Sequence, residues 1–297
     1  MHFAFPSRPR RPALLVVGCG DVGLRVLRLL GRHWRVLALT STPARRAELR
    51  AAGAVPLLGN LDDAASLGRL GALADAVLHL APPPADGPAD PRTRRLVAAL
   101  ARAGRVQRLV YASTTGVYGD CAGALVDETR AIRPQTARAR RRADAEARVR
   151  HFGRTSGARV SVLRVPGIYA LDREGGDPRV RVRRGTPVLA AEEDVHTSHV
   201  HADDLARACI AALHRGRPQR VYNVCDDSRL KMGDHFDRVA DLCGLPRPPR
   251  MSRADAATRM TPMQMSFLAE SRRLSNLRMK RELHVMLRYR TVDDALR

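Results

Sequence analysis

From residue 13 to residue 115 the chain alternates short, almost wholly apolar runs with longer stretches in which apolar residues recur every third or fourth position. The runs Leu14–Val17, Arg35–Leu39, Ala54–Leu58, Asp75–Leu80 and Arg108–Ala112 are too short for helices. They also lack the regular alternation of a strand with one wet face, and so predict strands covered on both sides. Between them, Val22, Val26, Leu27, Leu29 and Leu30 fall at helical spacing, and Thr93–Ala103 is a further helical stretch. Strand then helix, repeated with short connections, predicts an α/β fold with a parallel sheet and right-handed crossovers.

The first strand runs directly into Gly18, Gly20 and Gly23, a G-x-G-x-x-G spacing that opens the first helix. Gly18 suits a tight turn, Gly20 lets backbone approach a diphosphate, and Gly23 permits close helix–strand packing. The free N–H groups and the dipole at the helix start favour an anion there. Strand, glycine turn and helix in that order predict a Rossmann-like doubly wound sheet holding a dinucleotide. Cys19, Asp21 and Val22 complete the turn. Asn60 and Leu61 follow the third strand, and Leu80 and Ala81 close the fourth. Such loops gather at the carboxyl ends of the strands, so all four residues are expected against the same ligand.

The end of the second strand bears on which dinucleotide binds. An acid about 20 residues past the glycines would hold the ribose 2′-hydroxyl of NAD. Here the position is Thr40, followed by Ser41 and Thr42, and the first acid is Glu48. Arg45 and Arg46 lie in the next helical turn, behind Thr42 as N-cap and Pro43 at the first helical position. A missing carboxylate beside two guanidiniums predicts NADP in preference to NAD.

Further along, the chain resembles the short-chain dehydrogenase/reductase superfamily, in particular its extended and atypical NAD(P)-dependent epimerase/dehydratase-like members. The stretches that carry the resemblance are the glycine turn, Ser113–Asp120 (STTGVYGD), Val126–Thr129 (VDET), Leu163–Ala170 (LRVPGIYA), His199–Ala206 (HVHADDLA) and Val221–Asp227 (VYNVCDD). Ser271–Leu283 is similar to the C-terminal lobe of some atypical members. Residues 1–12, rich in Arg and Pro, read as a mobile basic tail. Beyond it the resemblance implies a dinucleotide-binding domain (13–227, with 167–200 shaping the substrate cleft) and a small helical substrate lobe (228–297).

In that family a Ser or Thr polarises the substrate carbonyl, a Tyr moves the proton, and a Lys four residues later lowers the Tyr pKa and binds the nicotinamide ribose. The resemblance places the hydroxyl on Thr114. It places Arg138 where the Tyr stands and Arg142 where the Lys stands. A guanidinium is a poor proton donor or acceptor near neutrality, although Arg142 keeps the ability to hydrogen-bond a ribose. Tyr118 and Tyr169 are the phenols nearest in sequence to the expected site, either as substitutes for the Tyr or as packing residues. Arg138, Arg140, Arg141 and Arg142 crowd the start of a helix, where like charges oppose the dipole. Either an anionic ligand offsets them, or Asp144, Glu146 and solvent do. Pro166 and His201 are expected along the substrate cleft.

Composition narrows the classes. The net charge is +22, yet only Lys231 and Lys280 of the 52 basic residues are lysines. Arginines scattered through alanine-rich helices, with aromatic content of 4%, read as a chain-wide bias and not as a nucleic-acid groove. His196, His199 and His201 with Asp203 and Asp204 have the right donor types for a metal, but Asp203 or Asp204 equally suits a helix N-cap, and no metal is expected. Five cysteines without a C-x-x-C pair give neither a disulfide framework nor a zinc site. No apolar run is long enough to span a bilayer, and a reducing cytoplasm is the simplest compartment. The partners expected are a dinucleotide, a small substrate that the arginine run would suit if it is anionic, and a second copy through helices beside the sheet. Two readings of function follow. One is an atypical oxidoreductase or epimerase that passes hydride between nicotinamide C4 and a carbon held by Thr114. The other is a catalytically silent NAD(P)-binding sensor.

Overall fold

The structure, a computed structural model, describes residues 11–297 apart from the side chain of Met263. All but the last two residues of the expected basic tail lie outside it. Seven strands form one sheet: β1 (Ala13–Val17), β2 (Arg35–Thr40), β3 (Val55–Leu58), β4 (Ala76–His79), β5 (Arg108–Thr114), β6 (Arg159–Val165) and β7 (Arg220–Asn223). Their spatial order is β7-β6-β5-β4-β1-β2-β3, and every pairing is parallel. The direction of winding reverses between β1 and β4, the point at which doubly wound sheets open a crevice for ligands.

Helices cover both faces, which is why the inner strands read as unbroken apolar runs, whereas the edge strand β3 keeps Val55 and Leu58 exposed. Leu14 and Val16 of β1 enter one core with Ala38, Leu78, Val110 and Leu163. That core is closed by α1 (Asp21–Leu29), by Leu49 of α2 (Arg46–Ala51) and by Leu205, Cys209 and Leu213 of a later helix, Ala202–Arg215. Ala13, Leu15 and Val17 enter the opposite core with Leu37, Val77, Leu109 and Val160, under α3 (Pro91–Ala101) and α4 (Ala137–Ser156). Helix α4 starts where the Thr136 hydroxyl accepts the Ala139 N–H (3.1 Å) and stops at Gly157, whose φ of +75° an L side chain resists.

A third core joins Tyr169, Val182, Val188, Leu189 and Val195 to Met232, Phe236 and Val239. Helix Ala202–Arg215, here α5, leads back into the sheet, and α6 (Met232–Cys243) carries the far wall of this lobe. Within the expected helical lobe, residues 253–268 form two short helices, Arg253–Arg259 and Pro262–Leu268. Thr261 and Gln264 make a reciprocal capping box with Pro262 at the first position, which restarts the helix there.

Residues 228–297 do not all lie in the lobe. Arg273–Leu274 pairs with Leu125–Val126, and α7 (Leu277–Leu283) sends Met279 and Leu283 into the first core. Among the described residues no helix is long and apolar enough to cross a membrane.

Candidate functional site

Each glycine of the turn has a separate physical reason. Gly18 has φ +83°, and a Cβ there would lie 2.4 Å from the Ala81 nitrogen. The end of β4 is fixed against it, because the Leu80 and Ala81 N–H groups both donate to the Val17 carbonyl (2.8 and 3.0 Å). At Gly23 a Cβ would meet the Cys19 sulfur at 3.1 Å. Gly20 differs, since a Cβ there would meet no protein atom within 4 Å. Gly20 is also the N-cap of α1 and offers no side chain to the first-turn N–H groups. The protein leaves space and donors together at one point.

Around this turn the polar side chains are largely engaged. Arg45 Nη2 donates to the Cys19 carbonyl (2.9 Å) while Nε pairs with Glu48 (2.9 Å). Burial pushes the Cys19 thiol up to about 11, which makes it inert as a thiolate near neutrality. Thr40 Oγ1 accepts the Thr42 N–H (3.2 Å) and closes the end of β2. Thr42, expected as a helix cap, precedes a single tight turn, Pro43–Arg45, and its side chain makes no capping bond. Arg46 is exposed and has no ion pair among the described residues. Asn60 Oδ1 accepts the Asp62 N–H (3.0 Å), and Leu61 is buried.

The Asp21 side chain is engaged within the protein. Its carboxylate bridges Arg25 (3.1 Å) and Arg173 (2.5 Å), so its charge is already committed. Buried Arg25 also pairs with Asp172 and Asp203 (2.6 Å each). The segment after Tyr169 is thus tied by ion pairs to Asp21 and Arg25 of α1.

At the end of β5, Thr114 Oγ1 accepts the Gly116 N–H (3.3 Å). The hydroxyl proton has no acceptor among the described residues. Arg142 Nη1 donates to the Ala112 carbonyl (2.8 Å) and to the Tyr111 hydroxyl (3.2 Å), leaving Nε and Nη2 available. Arg138 lies over the Phe267 ring (4.5 Å). Beside it Arg272 holds the Gly119 carbonyl (3.0 Å) and Glu270 Oε2 (2.7 Å). Pro166 is half-buried at the carboxyl end of β6. Asp144 and Glu146 do not offset the arginine run. Asp144 holds Arg148 and the Asp90 N–H, and Glu146 points into the core.

Neither phenol proposed as a substitute acid is free. The Tyr118 hydroxyl donates to Asn223 Oδ1 (2.8 Å), and its ring lies under Arg164 (4.6 Å). The Tyr169 hydroxyl donates to the Thr291 carbonyl (3.2 Å), and burial raises its pKa far above neutrality. His201 is likewise structural. Its Nδ1 accepts the Asp203 N–H (3.2 Å) as the N-cap of α5, and its ring stacks on Tyr289 at 3.6 Å. That displaces Asp203 and Asp204 from the capping role: Asp203 serves Arg25, and Asp204 accepts the Arg288 and Tyr289 N–H groups. Among the described residues no cluster able to hold a metal ion occurs.

Sequence reasoning missed the buried polar chain behind the site. Ser113 Oγ donates to Glu146 Oε1 (2.6 Å), and Arg164 clasps the same carboxylate through Nε (3.1 Å) and Nη2 (2.8 Å). The available signal was Arg164 inside an otherwise apolar strand, where a charge needs a buried partner.

The chain matches the model of the NAD dependent epimerase/dehydratase family over residues 14–225. It is 28% identical over 241 residues to Protein YeeZ of Escherichia coli (strain K12), covering 78% of this chain and 84% of that protein. A solved structure of a functionally unknown conserved protein from Silicibacter pomeroyi DSS superposes with a TM-score of 0.80 at 32% identity, covering 96% of both chains. The UDP-glucose 4-epimerase of Thermus thermophilus in complex with NAD shares the fold, with a TM-score of 0.73 at 22% identity over 96% of this chain and 97% of that one. By the length of the family match, together with the doubly wound sheet and its glycine turn, the chain belongs to the NAD dependent epimerase/dehydratase family.

Proposed function

We propose that the protein binds NADP or NAD across the carboxyl edge of the sheet, with the diphosphate on the first turn of α1. The observation that carries this reading is Gly20, a glycine that no protein neighbour requires, set before uncapped helix N–H groups. Backbone from Gly18 to Gly23 would hold the diphosphate. Leu80, Ala81, Asn60 and Leu61 would flank the adenosine half, and Arg142 would donate its spare N–H groups to the nicotinamide ribose. Arg45 and Arg46, with no carboxylate at Thr40, favour the 2′-phosphate of NADP. The nicotinamide, when bound, supplies hydride exchange with a carbon of the substrate.

The substrate we assign is a small anionic carbonyl or alcohol compound. Thr114 would donate to its oxygen, and Arg138 and Arg272 would meet its charge. This makes the protein an atypical oxidoreductase or epimerase-like enzyme. The engagement of both Tyr118 and Tyr169 elsewhere favours one second reading, a dinucleotide sensor without turnover. A reducing cytoplasm suits its five unpaired cysteines.

Calorimetric titration with NADPH, NADP, NADH and NAD at fixed salt, for the native chain and Gly20→Asp, tests the binding. Saturable binding that the substitution abolishes supports it, and no binding of any of the four removes both readings. A carbonyl panel with NADPH, run beside Thr114→Ala, then separates them. Turnover lost in the variant supports the enzyme, and tight binding without turnover supports the sensor.

A further inference from the structure

A second cavity, of about 400 Å³, opens at the β7 edge of the sheet. Four strand spacings, about 19 Å, separate β7 from β1 and its glycine turn. The cavity is walled by Arg130, Arg150, Arg164, Arg220 and Arg278 against a single carboxylate, Glu128. Three of the five cations have partners. Arg164 pairs with Glu146 (2.8 Å), Arg220 with Glu282 (2.5 Å) and Arg278 with Glu128 (3.5 Å). Arg130 and Arg150 have no ion pair among the described residues, and Arg150 Nε is closed off from solvent without a hydrogen-bond partner.

Two uncompensated guanidiniums in one concavity repel each other unless an anion lies between them. Each offers a planar fork that matches the oxygens of a phosphate or carboxylate. The remaining wall is different in kind, because Ile132 and Val221 give it carbon surface and Thr129 a hydroxyl. The volume lies within the range of about 300–1,000 Å³ usual for small-molecule sites.

We propose that this cavity binds a compact oxyanion on a small carbon body, a phosphate monoester or a dicarboxylate, held between Arg130 and Arg150. The site is separate from the glycine turn and independent of any dinucleotide reading.

Calorimetric titrations with glucose 1-phosphate, succinate and inorganic phosphate, at about 0.15 M salt to screen the general positive field, test it and tell the two ligand types apart. Arg130→Ala and Arg150→Ala each weaken the preferred probe by about tenfold. Ala131→Asp does the same from an exposed wall position, which keeps the test valid if loss of Arg150 impairs folding. Arg28→Ala with Arg32→Ala, two exposed arginines on and after α1, and Gly20→Asp leave it within about twofold. Equal weakening by the Arg28/Arg32 pair would reduce the effect to net charge and overturn the proposal. So would the absence of saturable binding of all three probes.

Discussion

Replacing Gly18 and Gly20 separately by alanine distinguishes a glycine kept for the backbone from one kept for a ligand. At Gly18, φ is +83° and the new Cβ would press to 2.4 Å on the Ala81 nitrogen, whose N–H is bonded to Val17. The left-handed backbone alone costs an L residue about 1–2 kcal/mol. Displacing the Leu80–Ala81 backbone adds about 1–3 kcal/mol of overpacking. The total, about 2–5 kcal/mol, lowers Tm by roughly 3–8 °C for a chain of this size.

At Gly20, φ is −84° and ψ −153°, which alanine tolerates, and no atom lies within 4 Å of the added carbon. Stability is therefore expected to stay within about 1 kcal/mol, a gain of about 0.4–1 kcal/mol through the unfolded chain being offset by alanine's poorer fit at an N-cap. NADPH affinity in the same variant is expected to fall by at least about tenfold, because the methyl takes the diphosphate's place. Thermal melts by circular dichroism and calorimetric titration read the two effects independently. Unchanged NADPH affinity in Gly20→Ala, or a melt as low as that of Gly18→Ala, would refute the reasoning.

Other predictions concern charge. Glu146→Gln leaves Arg164 buried without its carboxylate and should cost about 3–5 kcal/mol in urea unfolding, while Glu146→Leu with Arg164→Met recovers most of it; a double variant as unstable as the single would contradict this. Burial pushes the Asp226 carboxyl up to about 7. The native chain therefore holds a proton there that the unfolded chain releases near pH 4, and this stabilisation is full below pH 4 and lost as pH rises through 7. Buried His79 and His199, pulled down to about 3 and about 4, act with the opposite slope below about pH 6.5. The stability difference between Asp226→Asn and the native chain isolates the carboxyl, and should favour the variant more at pH 8 than at pH 5. Glu48→Gln frees Arg45 and should tighten NADPH over NADH by about two- to fivefold; equal tightening of both would place Arg45 away from the 2′-phosphate.

The sheet was legible because five of its strands are apolar runs too short for helices, set between stretches of helical spacing. The glycine turn was legible for the same local reason, since its spacing and its flanks sit within a few residues. What escaped was set by contacts distant in sequence. Nothing near Tyr118 announces Asn223, 105 residues on. Nothing near His201 tells that its ring nitrogen, and not Asp203, will cap α5. The arginines read as a chain-wide bias divide into two populations: Arg25 and Arg164 are buried among carboxylates, and Arg28 and Arg46 are exposed. Arg25 even sits at a helical core position, where an apolar residue would have completed the stripe.

The return of the last segment to the sheet bears on how the protein is made. Met279, Leu283 and Val285 are built into the same core as Val16 and Val26, residues synthesised more than 250 positions earlier. At about 5–20 residues per second, a ribosome presents the glycine turn many seconds before the side chains that close its supporting face. Until then that face exposes carbon to water, and the growing chain depends on whatever shields it. A chain cut before Leu277 would carry every residue of the proposed dinucleotide site and leave the core beneath it without Met279, Leu283 and Val285.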